Sequence, residues 1–594
     1  MRLKTTKSKN EMHFSIITDC KINGKRTTRV VENLGNLKTV LERAGGLDKE
    51  TWIKSYILDL KKDTSKINIT LNQNKKITMD QQLHFNGGYL FLQSLFYKLG
   101  MNRICNTISD KHKFTFNLSN VLSTLLYGRI IHPSSKLSTL AFSKTMIEQP
   151  NIEIQHIYRG LEILSKESDF IQSELYKNSL KVSKRNTSVL YYDCTNFFFE
   201  TSEADGLRQY GYAKQKQGKP LVQLGLLMDS DGIPLSFCIT PGNTNEQTTL
   251  KPLEKKVIKD FGLAKFVVCT DAGLASTANR KFNSLQDRAF ITTQSVKKLK
   301  AHLKEWALSP DGWTYPKKDG KYNLDDIIEL YEKDDDRYKH LKDVVFYKER
   351  WINEDKIEQR LIVTFSLKYR DYNKNIRQGQ IDRANKLISS NPKKISKPRQ
   401  NDFKRFISTI NTTVNGEVAD TPSYDLNQEL IDEESKYDGL YAVCTNLDDE
   451  VSQIIKVNKK RWEIEETFRI MKDELDSRPV YLSKDERIEA HFITCVLAMV
   501  LFRYLEKELD NESFTYPKII STLREYNYKH FPGIGYTPCF TRTELTDALE
   551  EKFNINGSSE IISEKNMKNF CKVTKQQKRT HFQDNKKTPQ TLIK

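Results

Sequence analysis

Two short β-branched and aromatic runs, Ser188-Val-Leu-Tyr-Tyr192 and Phe266-Val-Val-Cys-Thr270, each stop on an aspartate, Asp193 and Asp271. Unbroken apolar runs of this length suit strands buried on both faces of a helix-covered sheet. Between them lie Val222 to Met228 and Ile233 to Ile239, joined by the turn signal Asp229-Ser-Asp-Gly232. A helical stretch near Thr248 to Phe261 leads back to the second run. The expected order is therefore three antiparallel-type strands, a helix, and a strand parallel to the first.

That order is the front half of an RNase H-like fold. Its back half is delayed. Residues 290–436 are polar, with strand candidates at Asp343 to Phe346 and Arg360 to Phe365, a charged helix near 370–389, and the basic loop Asn391 to Gln400. They read as an insertion. The α/β pattern resumes at Gly439-Leu-Tyr-Ala-Val-Cys444, with a helix from about Asp449 to Leu475.

On that helix Ile464, Phe468, Met471 and Leu475 recur at helical spacing and form a core stripe. Arg461, Glu465, Arg469 and Lys472 form a polar stripe beside it. Glu465 and Lys472 are seven residues apart, hence on one face and roughly 10 Å apart along the axis. A carboxylate and a cation so placed can serve a metal at one phosphate and grip the next. An ordinary surface helix with an Arg461–Glu465 pair has the same pattern, and Asp193 and Asp271 taken singly could be turn caps. The ordered set of strand acid, strand acid and helix acid is what points to metal chemistry.

The chain has 594 residues, enough for two to four domains. Lys and Arg number 95 and Asp and Glu 77, so the net charge is 95 − 77 = +18. Such a balance suits a polyanionic partner, nucleic acid first, or else a solvated basic surface. Nine cysteines include no C-x-x-C pair, so neither a zinc ribbon nor a disulfide framework is indicated. No apolar run follows Met1-Arg-Leu-Lys, so no secretory leader is expected. The apolar stretch Phe492 to Phe502 is too short for a bilayer and reads as a buried helix.

The expected organisation is an N-terminal α+β module over 1–80 and a helical domain over 81–185. The first half of the core covers 186–289, the insertion 290–436 and the second half of the core 437–545. A basic tail over 546–594 closes the chain. The module carries a hairpin signal at Asn23-Gly24 and a helix near Asp48 to Lys62. The helical domain includes Tyr89 to Leu99 and Leu118 to Ile131, broken at His132-Pro-Ser-Ser135. Ser483-Lys-Asp-Glu486 has the form of a capping box for a helix over 484–508. From Glu564 onward nine Lys and Arg face two Asp and Glu. That stretch suits a disordered tail or nonspecific DNA contact. Sequence readout must come from outside a metal site at a phosphate. The basic hairpin around Lys21 to Arg29 and the helix break flanked by Arg129 and Lys136 are the candidates.

These motifs together resemble the DDE transposases of bacterial insertion sequences. The branch is the insertion-sequence-four superfamily, marked by a Tyr-x2-Arg-x3-Glu-x6-Lys signature. Arg461, Glu465 and Lys472 match its spacing, and Asn458 stands in the tyrosine slot. Tyr191-Tyr-Asp-Cys-Thr195, Tyr210-Gly-Tyr-Ala-Lys214, Gly242-Asn243, Thr270-Asp-Ala-Gly273 and Arg478-Pro-Val-Tyr481 are further matching stretches. The resemblance covers roughly residues 15 to 510. It implies an RNase H-like catalytic core and Asp193, Asp271 and Glu465 as catalytic, metal-binding triad. It implies two Mg²⁺ ions, with Mn²⁺ as a substitute, and Arg461, Lys472 and Asn458 at the DNA. A β-rich insertion separates Asp271 from Glu465, a gap of 465 − 271 = 194 residues. Members can pass through a hairpin end with a flipped base stacked on an aromatic, for which Trp306, Trp313 and Trp351 are candidates. The implied partners are double-stranded transposon ends and target DNA, the implied assembly a dimer at synapsis, the location cytoplasmic at the nucleoid. The same triad would serve an RNase H-like nuclease or a domesticated derivative that cuts without integrating. A non-enzymatic DNA-binding protein would not need all three acids.

Overall fold

The structure, a computed structural model, describes residues 1–8, 11–22, 25–63, 67, 69, 72–74, 76–211, 218–316, 319–333, 336–390, 402–412, 418–510 and 513–576. The Asn23-Gly24 turn, Lys214, the basic loop 391–400 and the chain beyond 576 lie outside the described residues. The chain divides into two compact units, Met1–Gln81 and Gln82–Lys594.

In the first unit, strands Arg2–Lys7, Met12–Ile22 and Lys25–Asn36 pair antiparallel, and helices Leu37–Ala44 and Lys49–Asp63 follow. Strand alternation turns Phe14, Ile16 and Leu34 inward to meet Val40 and Ile53. Asn36 Oδ1 accepts from the Thr39 amide at 3.0 Å and starts the first helix. Asp48 does the same for the second, accepting from Glu50 and Thr51 amides at 3.1 and 3.0 Å.

The second unit is built around one sheet and one helix. Ten strands run in the spatial order Lys321–Tyr322, Trp313–Thr314, Phe346–Glu354, Ile357–Phe365, Leu440–Thr445, Arg288–Gln294, Phe266–Thr270, Val189–Phe198, Leu221–Asp229 and Pro234–Pro241. Val189–Phe198, Phe266–Thr270 and Arg288–Gln294 are mutually parallel, and every other pairing is antiparallel. The strand after the Thr248-to-Phe261 helix is thus parallel to the first, as its buried run implies. Of the described inserted strands, only Ile407–Thr412 and Val418–Leu426 make a sheet of their own, an antiparallel pair. Phe346–Glu354 and Ile357–Phe365 join the main sheet through Leu440–Thr445. The inserted region is also less β-rich than expected, with helices Ala301–Leu308, Leu324–Glu332, Leu367–Ser390 and Gln428–Ser435.

Helix Asp485–Glu508 is the centre of the helical layer and packs on Tyr89–Lys98, Leu118–Ile131 and Ile154–Lys166. Its 24 residues are long and apolar enough to cross a bilayer, but 89% of the apolar window is buried within the protein. The capping box expected at Ser483 does not form. Lys484 holds the cap position without a side-chain bond, and Asp485 accepts instead from the Leu207 amide at 3.1 Å. The stretch expected as a basic tail is folded as far as it is described. Strand Ile562–Ser563 pairs with Gly535–Pro538. Helices Glu544–Phe553 and Glu564–Val573 bury Leu549, Met567 and Cys571.

Candidate active site

Asp193 does not end its strand. Val189–Phe198 continues past it, pairing Asp193 with Leu226 and Phe198 with Leu221. Alternation therefore puts Tyr191, Asp193, Thr195 and Phe197 on one face. In the parallel pair with Phe266–Thr270, Tyr191 stands opposite Cys269. Asp193 and Asp271 each lie two residues further on, at the same level of adjacent strands. Asp271 follows directly on its strand and turns the chain, its Oδ1 accepting from the Leu274 amide at 3.0 Å. A Cβ on Gly273 would stand 3.3 Å from that same oxygen, so glycine keeps room beside the carboxylate.

The expected helix over 449–475 is three pieces: Val451–Lys459, Trp462–Arg469, and a π turn over Ile470–Glu474. Ile464, Phe468, Met471 and Leu475 are buried as their spacing predicts. The polar stripe turns toward the two aspartates. Arg461 pairs with Glu465 at 3.2 Å. Burial works against the charge of Arg461, but Tyr441, Glu465, Asp193 and Asp271 outweigh it and raise the guanidinium's pKa. Its Nε is buried and unpartnered. Lys472 Nζ bonds Thr195 Oγ1 on the Asp193 strand and lies 5.3 Å from the Phe197 ring centre.

Asp193 is the most perturbed acid of the group. Burial, then the like charge of Asp271, pushes its carboxyl up to about 7. The Cys194 amide, at 2.8 Å, and Arg461 oppose this, while Glu465 adds a smaller push. The structure thus brings Asp193, Asp271, Glu465, Arg461 and Lys472 into one neighbourhood. Glu465 pairs with Arg461 rather than closing on the aspartates, and no three His, Cys, Asp or Glu side chains form a tight cluster among the described residues. The donors are all carboxylate oxygens, which suit a hard divalent cation. Such a cation would also stabilise the ionised form of Asp193 against its burial.

Asn458 is placed differently from the DNA contact expected of it. It is buried, its Nδ2 donates to Tyr441 Oη at 2.8 Å, and its Oδ1 faces the Cys269 thiol. The amide is used inside the protein. Arg129 and Lys136, expected beside DNA at the helix break, are buried as well. Trp313 is fully buried and donates to Ser309 O at 3.1 Å, so it is a core residue, while Trp351 is 44% exposed. Glu463 and Glu466 point away from the site, toward Lys460 and Arg503. Thr195 and Tyr441 are the neighbours that sequence reasoning missed. Thr195 was findable, since it lies two residues beyond Asp193 on a strand. Tyr441 arrives from a strand far away in sequence and carried no local signal.

The transposase DDE domain family matches the chain over residues 186–378 and 355–501. No curated protein matches it. Among solved structures, the cryo-EM structure of the piggyBac transposase synaptic complex with hairpin DNA is similar with a TM-score of 0.35 and 9% identity, covering 82% of this chain and 85% of that one. The Mos1 transposase paired-end complex with left transposon end is similar with a TM-score of 0.13 and 11% identity, covering 41% and 69%. The family match takes in more than half of the 594 residues and includes Asp193, Asp271, Arg461, Glu465 and Lys472; the chain belongs to the transposase DDE-domain family.

Proposed function

We propose that this protein is an active transposase that binds the ends of its element, cleaves DNA there and joins the freed 3′-hydroxyl to target DNA. The observation that carries the reading is the meeting of Asp193, Asp271 and Glu465 around Arg461, with Lys472 tied to the Asp193 strand. The strand order 234–241, 221–229, 189–198, 266–270, 288–294 supports reading the core as RNase H-like. The spacing Arg461-x3-Glu465-x6-Lys472 supports the insertion-sequence-four branch.

Asp193, Asp271 and Glu465 would hold divalent metal, two Mg²⁺ ions or Mn²⁺ in their place. When bound, such ions supply Lewis-acid charge stabilisation at a phosphoryl group and a water of lowered pKa. The chain's own residues do the rest. Asp193, whose proton burial and Asp271 hold up to near neutral pH, would have to give that proton up to serve as a metal ligand. Arg461, anchored on Glu465, aims its remaining donors at the scissile phosphate. Lys472, about two turns along the helix, holds a neighbouring phosphate, and Thr195 keeps its ammonium oriented. Water and then a DNA 3′-hydroxyl can use one such acid set, since only the nucleophile differs. The N-terminal module, with Arg29 exposed, is the proposed reader of the end sequence, and two chains would meet at synapsis.

The test is a plasmid carrying the DNA that flanks the gene, incubated with protein, Mg²⁺ and a second target plasmid. The reading predicts cleavage at the element ends and joined products. Cleavage without joined products would make the protein a nuclease or a domesticated derivative. No metal-dependent cleavage at all would reject the proposal.

A further inference from the structure

The helix that carries Glu465 ends in an unusual way. After Arg469 it widens into the π turn, where the Leu475 amide donates to Ile470 O at 3.0 Å and the Ser477 amide to Met471 O at 3.1 Å. The last carbonyls of a helix have no partner within it. Here the carbonyl of Glu474, which ends the π turn, and the three that follow it are taken by side chains of three other helices. Arg524 donates to Glu474 O at 3.1 Å. Arg129 donates to Leu475 O and Asp476 O, both at 3.1 Å. His491 Nε2 donates to Ser477 O at 3.2 Å. Arg524 also donates to Ile131 O at 3.2 Å, at the end of the very helix that carries Arg129.

Arg129 is buried, and among the described residues no carboxylate pairs with it. The negative end of the acid helix is what compensates its charge. A buried guanidinium so placed costs free energy and needs a reason to be there. The π turn supplies one. It holds one residue more than an α turn, and Lys472 lies inside it. If the turn relaxed to α geometry, the chain beyond it would rotate by about 100° relative to Glu465, and Lys472, midway through it, by roughly half that. That would take its ammonium away from Thr195 and the Asp193 strand.

We propose that Arg129, seconded by Arg524, is a positioning residue for cleavage. It pins the π turn and so fixes Lys472 and Glu465 against Asp193. The proposal rests on the reading of Asp193, Asp271 and Glu465 as the cleaving acids.

Arg129→Lys in the full chain tests it, because Nη1 donates to both carbonyls and an ammonium keeps the charge but sits one bond nearer the backbone on a flexible stem. Hydrogen exchange, thermal midpoint, affinity for end DNA and Mg²⁺-dependent cleavage are measured side by side. Amides of 470–477 should exchange about tenfold faster or more while the rest of the protein is unchanged. The kcat should fall about tenfold or more, with KM for DNA and the midpoint nearly constant. Unchanged exchange over 470–477 would overturn the proposal. So would cleavage that falls only in step with DNA affinity. If Arg129→Lys does not fold, Arg524→Lys is held to the same criteria. If the wild-type protein does not cleave, the functional reading fails, and the exchange data alone decide whether the clamp exists.

Discussion

Lys136 offers a stability test that needs no knowledge of the DNA. The residue is only 7% exposed, its ammonium lies 3.3 Å from His491 Nδ1, and it shares its surroundings with Arg129. His491 donates through Nε2 to Ser477 O, so Nδ1 is the acceptor that faces Lys136. Burial first, and then Arg129, lowers the Lys136 pKa from 10.5 to about 7. At about 1.36 kcal/mol per pH unit, a displacement of roughly 3.5 units corresponds to about 5 kcal/mol. The folded value lies below the unfolded one, so the unfolded chain binds more protons between pH 7 and 10.5 and stability rises with pH across that window. Below pH 7 the cost is constant and at its largest. Lys136→Met keeps the apolar stem and removes the cost, while losing one hydrogen bond worth about 1 kcal/mol. The variant should be more stable than wild type by about 4 kcal/mol at pH 6, and that advantage should shrink by about 2.7 kcal/mol between pH 7 and 9. Roughly 500 residues at about 2.1 cal/mol/K each make 1 kcal/mol worth about 1 °C. Thermal melts in EDTA from pH 6 to 9 resolve this. An advantage independent of pH, or a destabilised variant at pH 6, would refute the reasoning. A drop in DNA affinity would show that Lys136 faces DNA after all.

Three further outcomes are expected. Asp193→Asn, Asp271→Asn and Glu465→Gln should each abolish Mg²⁺-dependent cleavage of end DNA and leave binding in gel-shift assays largely intact, whereas Glu463→Gln and Glu466→Gln should still cleave. Lys472→Ala should weaken end complexes and flatten the plot of log affinity against log salt by about one contact; an unchanged slope with normal cleavage would make Lys472 an ordinary surface residue. A protein beginning at residue 82 should stay folded, since the two units are separately compact, and keep nonspecific affinity while losing preference for element ends in competition binding.

The parts of this fold legible in sequence were those set by local patterning. The four apolar residues and a threonine before Asp271, the Asp229–Gly232 turn and the buried stripe from Ile464 to Leu475 all declare themselves within a few residues. The misjudged parts depend on distant partners. Residues 194–196 are only half-buried, so the apolar run stops at Asp193, but the backbone goes on pairing as far as Leu221. Arg288–Gln294 reads as polar and becomes a central strand because Phe266–Thr270 and Leu440–Thr445 flank it. The stretch from Val451 to Glu474 contains no proline or glycine to mark its break or its π turn, and the clamp on that turn comes from helices more than 300 positions earlier and about 50 later. Arg129 and Lys136 look like DNA contacts until helix Asp485–Glu508 is seen to cover them.

The central claim is that Asp193, Asp271 and Glu465 themselves ligate the metal that cleaves DNA. The most direct measurement replaces Asp271 with cysteine and compares cleavage of end DNA in Mg²⁺ and in Mn²⁺. A thiolate is a poor ligand for Mg²⁺ and a better one for a softer ion. Asp271→Cys should be inactive in Mg²⁺ and recover activity in Mn²⁺, while Asp271→Asn stays inactive in both. Equal activity of the cysteine variant in the two metals would contradict the account.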